Sequence, residues 1–502
     1  MTKKIADVCL ILEGTYPYVK GGVSSWTHQL INAQKHLSFH IVAILPPKFE
    51  AKILYDVPDN VIKITNIWLQ DLPKQRFSFR KLPNQFFHEI ELPLLNLQIT
   101  PNLEQLNKIL KALRKYDKQL SKKSLLDSQE SWDMLLRMYN STVGNTCFLD
   151  FFWTWRALLG GLFSILTAPL PKAKVYHSLC TGYAGLYLAR ASIEQHRPCL
   201  VTEHGIYTNE RRIEIAAAEW LDSQKALDLN VNKPAYEITL RDFWINNFTS
   251  YSKMCYEACD EIITIYEGNT YFQKQDGALE SKISVIPNGI NYEKFSKLKK
   301  EDNEQPTIAL IGRVVPIKNI KIFIRSCSIL KDQFPNLRAY IMGPRREDKA
   351  YYQECLELIA HHNIEDIITF TGLVDLTEYL PKVDVAVLTS ISEAQPLVIL
   401  EAGCLGIPSV VTDVGACHEM LFGTSSEKPN LGQAGIVCPL SDPNATASAI
   451  QKLLIDKDFY DQCSKNIKKR VEKYYNKEAL DKKYKEIYAT YIKKKDLKKK
   501  AA

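Results

Sequence analysis

The chain has 502 residues, 46% hydrophobic and 24% charged, a soluble globular composition too long for one ordinary core, so two or three domains are expected. Its 64 Lys and Arg against 57 Asp and Glu give a formal charge of +7, much of it in the tail IKKKDLKKK. Elsewhere basic residues are interspersed with acids and no recognised nucleic-acid motif occurs, so nucleic acid is not expected as a partner.

Near the N-terminus an apolar run, Val8 to Leu12, is bounded by Asp7 and Glu13. It is too short for a secretory signal and reads as a first strand. Lys20-Gly21-Gly22-Val23 follows and opens a helix predicted from about Val23 to Lys35. Gly21 and Gly22 would let a phosphate or sugar approach the backbone at a helix start, with a tight structural turn as the alternative. The spacing is not GxGxxG, so dinucleotide binding is a poor reading.

After a second strand in FHIVAILP, a polar, Leu-spaced stretch from about Gln70 to Asn145 looks helical and reads as an insertion on the first domain. The apolar segment Phe148 to Leu170 contains Asp150 and Arg156 and has fifteen uncharged residues between Arg156 and Lys172. That falls short of the roughly 18 to 20 needed to span a bilayer, so a buried helix with an aromatic flank is expected. Strands are then predicted in KVYHSLC, CLVTEHG, EIITIYEG and KISVIPNG. His204 ends the second of these beside Gly205, placed to bond a sugar hydroxyl, although a lone His is more often structural. His177 stands similarly at the end of the first, and Glu210 and Arg211 just beyond His204 are expected on the same acceptor or sugar side.

A polar linker at Asp302-Asn303-Glu304 precedes a second βαβ series with strands in TIALIGR, RAYIMGP, ITFTG, VDVAVLTS, IPSVVTDVG and AGIVCPL. The fold expected is α/β, two Rossmann-like doubly wound domains opening their strand ends on a shared cleft: an N-terminal domain 1–297 with an insertion at about 70–145, a C-terminal domain 298–474, and a helix with basic tail, 475–502, returning to the first.

Two motifs at such strand ends carry the chemistry. In GRVVPIK, Gly312 gives a tight approach while Arg313 and Lys318 supply a fork and a point charge suited to a diphosphate, which gains negative charge as it leaves a sugar. In EAQPLVILE, Glu393 and Glu401 supply acceptors for hydroxyls, and Pro396 marks a helix start whose free amides favour an anion. Diphosphate and polyols together describe a nucleotide sugar. GRxxxxK alone would more often be a solvated loop, and the glutamates alone a surface helix. The only Asp-x-Asp triplet, Asp456-Lys457-Asp458, reads as a helix connection, so no metal is expected and the cations perform the neutralisation. Twelve Cys are scattered without a CxxC pair and read as reduced, cytoplasmic thiols. The Lys tail reads as solvated, with an anionic inner membrane face as the alternative contact.

These residues in this order resemble glycosyltransferase family 4 of the GT-B fold: GRVVPIKN, ITFTG, SISEAQPLVILEAGCLGIPSVVTDVG and IPNGI in or before the second domain. In the first domain ILEGTYPYVKGGVSSW, TEHGIYTNERR and IYEGNTYFQKQDGA resemble more narrowly the cytoplasmic glycosyltransferases of bacterial Pel exopolysaccharide synthesis. The resemblance implies that Arg313 and Lys318 bind the donor diphosphate, Glu401 the ribose and Glu393 the transferred sugar, with Gly22 near the phosphates and His204 near the sugar. It implies a UDP-sugar donor, a polysaccharide acceptor, retention of configuration without metal or other cofactor, and inner-membrane synthase components as partners. Where many relatives have Gly this chain has Pro396, which lacks an N–H and leaves donation to the Gln395 and Leu397 amides. A nucleotide-sugar epimerase on the same fold and a non-catalytic nucleotide-binding subunit are the competing readings.

Overall fold

The computed structural model describes residues 5–73, 81–142, 147–216 and 239–500, without the side chains of Thr142, Ala216 and 494–500. Parts of the expected insertion and the charged groups of the Lys tail beyond Lys493 therefore lie outside the described residues. The chain divides into two compact units: unit 1 is Met1–Thr264, Thr270–Ser284 and Tyr484–Ala502, and unit 2 is Ile265–Asn269 and Val285–Lys483.

Unit 1 holds seven strands, β1 (Ala6–Glu13), β2 (Phe39–Leu45), β3 (Val61–Trp68), β4 (Ala173–Ser178), β5 (Cys199–Glu203), β6 (Glu261–Thr264) and β7 (Ile283–Val285, its last residue in unit 2), in the order β3-β2-β1-β4-β5-β6-β7. β1 pairs in parallel with β2 and with β4, so the order reverses between β1 and β4, the place where open α/β sheets leave a crevice. β1 and β2 are near-continuous apolar runs because both faces are covered. β3 is absent from the sequence reading; VIKITNIW is a partly exposed edge strand, rich in β-branched residues (Val61, Ile62, Ile64, Thr65, Ile67) but without regular alternation.

Helices Asn84–Ile99, Leu103–Lys115, Lys122–Leu126 and Gln129–Thr142 fill the expected insertion, and Phe148–Thr167 leads on to β4. That last helix is long and apolar enough by length and composition to cross a membrane, yet 67% of its most apolar window is buried. Phe151, Trp155, Leu162 and Phe163 enter the unit 1 core, while Leu149 and Trp153 are exposed. This is the buried helix with an aromatic flank that its two charges predicted.

Unit 2 holds β8 (Thr307–Ile311), β9 (Arg338–Met342), β10 (Ile368–Gly372), β11 (Val385–Leu388), β12 (Ser409–Thr412) and β13 (Gly435–Cys438), all parallel in the order β10-β9-β8-β11-β12-β13. Alternation sends Ile308 and Leu310 into one core with Phe323 and Ile324 of the helix Ile320–Leu330. Ala309 and Ile311 go into another with Ile399 and Leu400 of the helix Leu397–Cys404. A sheet covered on both faces with a reversal between β8 and β11 is the doubly wound arrangement.

The expected boundary at 297 differs from the division at Ser284 and Val285 because Ile290 and Phe295 pack in the unit 2 core. Asn303 of the polar linker donates to the Lys382 carbonyl at 2.7 Å. The final helix, Lys477–Lys500, contributes Tyr484 and Tyr488 to unit 1. Asp456 caps the helix Lys457–Tyr474 by accepting from the Phe459 amide, the connection expected of that triplet.

Candidate functional site

In unit 2 the loops after β8 and β11 are tied together at the sheet's reversal point. Thr389 donates to the Lys318 and Asn319 carbonyls at 3.0 and 3.1 Å, and the Ile391 amide donates to the Ile317 carbonyl at 2.8 Å. This brings the Lys318 ammonium onto the Glu393 carboxylate, with side chains only 18% and 12% exposed. The loop after β12 backs Glu393: the Ala416 amide donates to the Ala394 carbonyl, and Gly415, at φ +53°, has room for no side chain because a Cβ would lie 2.1 Å from the Glu393 carbonyl oxygen.

Arg313 is placed differently. It is exposed and its guanidinium lies 2.9 Å from the Glu347 carboxylate in the loop after β9. The two expected cations thus have separate partners. Gly312 donates to the Met342 carbonyl at 2.9 Å, and the steric demand for glycine falls on Gly343, whose Cβ would lie 2.0 Å from the Gly312 carbonyl oxygen.

Pro396 caps the helix Leu397–Cys404, so Glu393 precedes that helix and Glu401 sits within it, as expected. Burial raises the Glu401 carboxyl, and Lys294 opposes that rise. The Gln395 side chain is spent on the backbone of Asn288, accepting from its amide at 2.8 Å and donating to its carbonyl at 3.0 Å. Those two bonds and its burial hold the carboxamide on that backbone. What Gln395 and Leu397 offer is the set of first-turn amides that a helix leaves unpaired.

In unit 1, Gly21 and Gly22 stand at the start of the helix Gly22–Ala33, both exposed, with nothing within 4 Å of where a Cβ would be. Beyond the ends of β1, β4 and β5 lies a cavity of about 200 Å³ lined by Glu13, Thr15, Cys180, His204, Glu210 and Arg211 among others. Three polar atoms of its lining, Thr15 Oγ1, His204 Nε2 and Arg211 Nε, are buried without a hydrogen-bond partner. Buried polar atoms without a partner are costly, so these three give the cavity a lining able to pair with water or a polar ligand. Burial lowers the His204 imidazole to about 4, which keeps it neutral, and its ring packs edge-on against Trp26 at 4.7 Å.

The expectation for His177 is corrected. It is fully buried, its Nδ1 bonded to the Tyr488 hydroxyl at 2.7 Å and its Nε2 to Thr202 at 2.9 Å, so no ring nitrogen is left for a sugar. The sequence reading missed Glu13 and Tyr207. The Tyr207 hydroxyl donates to Glu13 at 2.8 Å, and its ring occupies space left by Gly182, where a Cβ would lie 2.2 Å from it. The available signal was a carboxylate ending the first strand in ILEG. Glu203, also missed, directly precedes His204 and accepts from Tyr256, Gln273 and Thr181 at 2.6, 2.8 and 3.1 Å. Among the described residues no group of three or more His, Cys, Asp or Glu side chains is placed to hold a metal ion.

Residues 6–281, more than half of the chain, match the family described as Domain of unknown function (DUF3492). The chain belongs to that family. Residues 291–470 match a second family, Glycosyl transferases group 1. The capsular polysaccharide biosynthesis glycosyltransferase CapM of Staphylococcus aureus is 25% identical over 229 residues, covering 43% of this chain and 57% of CapM. The N,N'-diacetylbacillosaminyl-diphospho-undecaprenol alpha-1,3-N-acetylgalactosaminyltransferase of Campylobacter jejuni is 28% identical over 199 residues, 37% of this chain and 50% of that enzyme. The chain thus spans about half the length of these relatives. Among solved structures, Anabaena Alr3699/HepE in complex with UDP superposes with TM-score 0.58 at 12% identity, covering 96% of this chain and 99% of that one. Sucrose-phosphate synthase from Thermosynechococcus elongatus gives 0.56 at 16% identity, with 96% and 98% covered. At these identities the likeness is one of fold, and the fold is GT-B.

Proposed function

We propose that this chain is a glycosyltransferase that moves a hexose or N-acetylhexosamine from a UDP-sugar to a growing exopolysaccharide of the Pel type, as PelF does, with retention of configuration and without a metal. The observation that carries the reading is the lacing of GRVVPIK to EAQPLVILE, which sets Lys318 against Glu393 at the reversal point of the unit 2 sheet. Loops held in this way offer a cation, a carboxylate and free helix amides together, the set a sugar diphosphate requires.

In this reading Lys318 and Arg313 hold the diphosphate beside Gly312, Glu401 takes the ribose hydroxyls, and Glu393 with the Gln395 and Leu397 amides meets the transferred sugar. Gly21 and Gly22 admit phosphate oxygens to the backbone, and the cavity bearing His204, Glu210 and Arg211 takes a single sugar ring, being smaller than the roughly 300 Å³ of a drug-sized site. The acceptor hydroxyl attacks the anomeric carbon on the face from which the diphosphate leaves. The bond from that carbon to the diphosphate oxygen breaks, UDP keeps the electron pair, and the acceptor proton passes to a diphosphate oxygen. Arg313 and Lys318 stabilise the charge that grows there.

The partners of this reading are inner-membrane Pel synthase components, and the location is cytoplasmic or peripheral at the inner membrane face. CapM, a polysaccharide-building relative by its name, supports the acceptor class. The test is a thermal-shift panel of UDP, GDP and ADP sugars followed by an assay of UDP release. Stabilisation by a UDP-sugar with UDP release in the presence of polysaccharide supports the reading. Interconversion of free UDP-sugars without an acceptor replaces it with epimerisation, and binding without turnover replaces it with a non-catalytic subunit.

A further inference from the structure

The Arg313 guanidinium, expected on the diphosphate, rests instead on Glu347, a residue of the loop Gly343–Asp348 between β9 and the helix Lys349–His362. Both side chains are about half exposed, 56% and 45%, so the pair is weak and readily exchanged, worth at most about fivefold in an equilibrium constant. Glu347 also directly precedes Asp348, the cap of that helix, so the positive helix end continues to favour its carboxylate when Arg313 departs. The loop is anchored where it must be for such an exchange: Val314, next to Arg313, donates to the Pro344 carbonyl at 2.9 Å, and Gly343 packs on Gly312.

We propose that Glu347 is a resident counter-ion for Arg313 that competes with the nucleotide diphosphate and so speeds release of the UDP product. This rests on the donor-site reading above. UDP, with its free terminal phosphate, is more negative than a UDP-sugar. Breaking the Arg313–Glu347 pair costs both ligands the same, but the displaced carboxylate, still close by, repels the more negative UDP more than the UDP-sugar and so penalises product more than substrate. Glu347 acts through Arg313, as a positioning residue, and touches no reacting atom.

The experiment is calorimetric titration of the full chain with UDP and with the UDP-sugar found to bind best, at low and at high salt. Glu347→Gln is expected to tighten UDP about three- to fivefold at low salt and the UDP-sugar less, with the gain fading at high salt. Glu347→Asp is expected to restore the wild-type values. In turnover, Glu347→Gln is expected to show stronger inhibition by UDP with KM for the donor lowered. In an Arg313→Ala background the same change is expected to do nothing. Unchanged or weakened UDP binding in Glu347→Gln overturns the proposal, as does a gain that persists without Arg313. Failure of the wild-type chain to bind UDP at all overturns the donor-site reading and this inference with it, whereas UDP binding that ignores Glu347 overturns only the inference.

Discussion

The Lys318 ammonium and the Glu393 carboxylate form an ion pair in which each side chain is less than a fifth exposed. Removing one partner leaves the other partly desolvated, so Lys318→Ala is expected to lower stability by about 1 to 3 kcal/mol, read as a fall in Tm. If Lys318 also neutralises the leaving diphosphate, turnover of the folded variant falls about 10²-fold or more. Glu393→Gln keeps an acceptor for Lys318 and should cost less stability while still impairing transfer. A Tm loss with normal turnover per folded molecule would make the pair structural only.

Gly415 offers a test that leaves every charged group in place. At φ +53° an alanine is strained, and its Cβ would meet the Glu393 carbonyl oxygen at 2.1 Å, so the Glu393 loop must shift. Gly415→Ala is expected to cost about 1 to 3 kcal/mol and to reduce turnover by about tenfold or more, through displacement of Glu393. Wild-type turnover in the variant would show that the position of Glu393 does not matter.

Two buried groups of unit 1 give stability opposite dependences on pH. Burial and then the nearby His204 lower His177 from 6.5 to about 3, so the folded state holds it neutral. Its contribution is present above about 6.5 and is lost as pH falls toward 3, because there the unfolded state binds the extra proton. Burial raises Glu203 from 4.5 to about 7 against the bonds from Tyr256, Gln273 and Thr181. Its contribution is present below about 4.5 and is lost as pH rises through 7. The two windows overlap and oppose each other, so in melts between pH 4 and 8 His177→Gln is expected to remove a loss of stability on acidification below about 6.5, and Glu203→Gln a loss as pH rises from about 4.5 to 7. Unaltered slopes would mean that neither group titrates across the transition.

The strands of unit 2 were legible because five of the six are short, mostly apolar runs, and Gly312, Gly343, Gly372 and Pro439 stand at or just past the ends of four of them, with Arg313 and Lys318 in the loop after the first. The boundary was not, since Ile290 and Phe295 join the unit 2 core through long-range packing that local pattern does not report. His177 and His204 look alike in sequence, each a His ending a strand. They differ because Thr202 on the neighbouring strand and Tyr488, from more than 300 residues away, take both ring nitrogens of His177. Arg313 was read correctly as a strand-end cation, but its partner Glu347 lies in a different crossover, and no spacing within GRVVPIK points to it.

The cavity in unit 1 makes a prediction that an ordinary core would not. Thr15 Oγ1 is buried there without a partner, so Thr15→Val removes an unsatisfied polar atom at nearly constant shape. In a merely structural setting that atom costs about 1 to 3 kcal/mol, and Val should leave the free protein equally or more stable. If the cavity takes a sugar ring, the same change deletes a hydrogen bond made only in the complex. Thr15→Val is therefore expected to hold or raise Tm while increasing KM for the sugar it contacts about five- to tenfold, a cost of about 1 to 1.4 kcal/mol. Arg211→Met, which removes the second orphaned donor and the charge with it, is expected to raise KM further and to lose the sugar-induced shift in Tm. A Thr15→Val protein that loses stability and keeps its KM would return the cavity to ordinary packing.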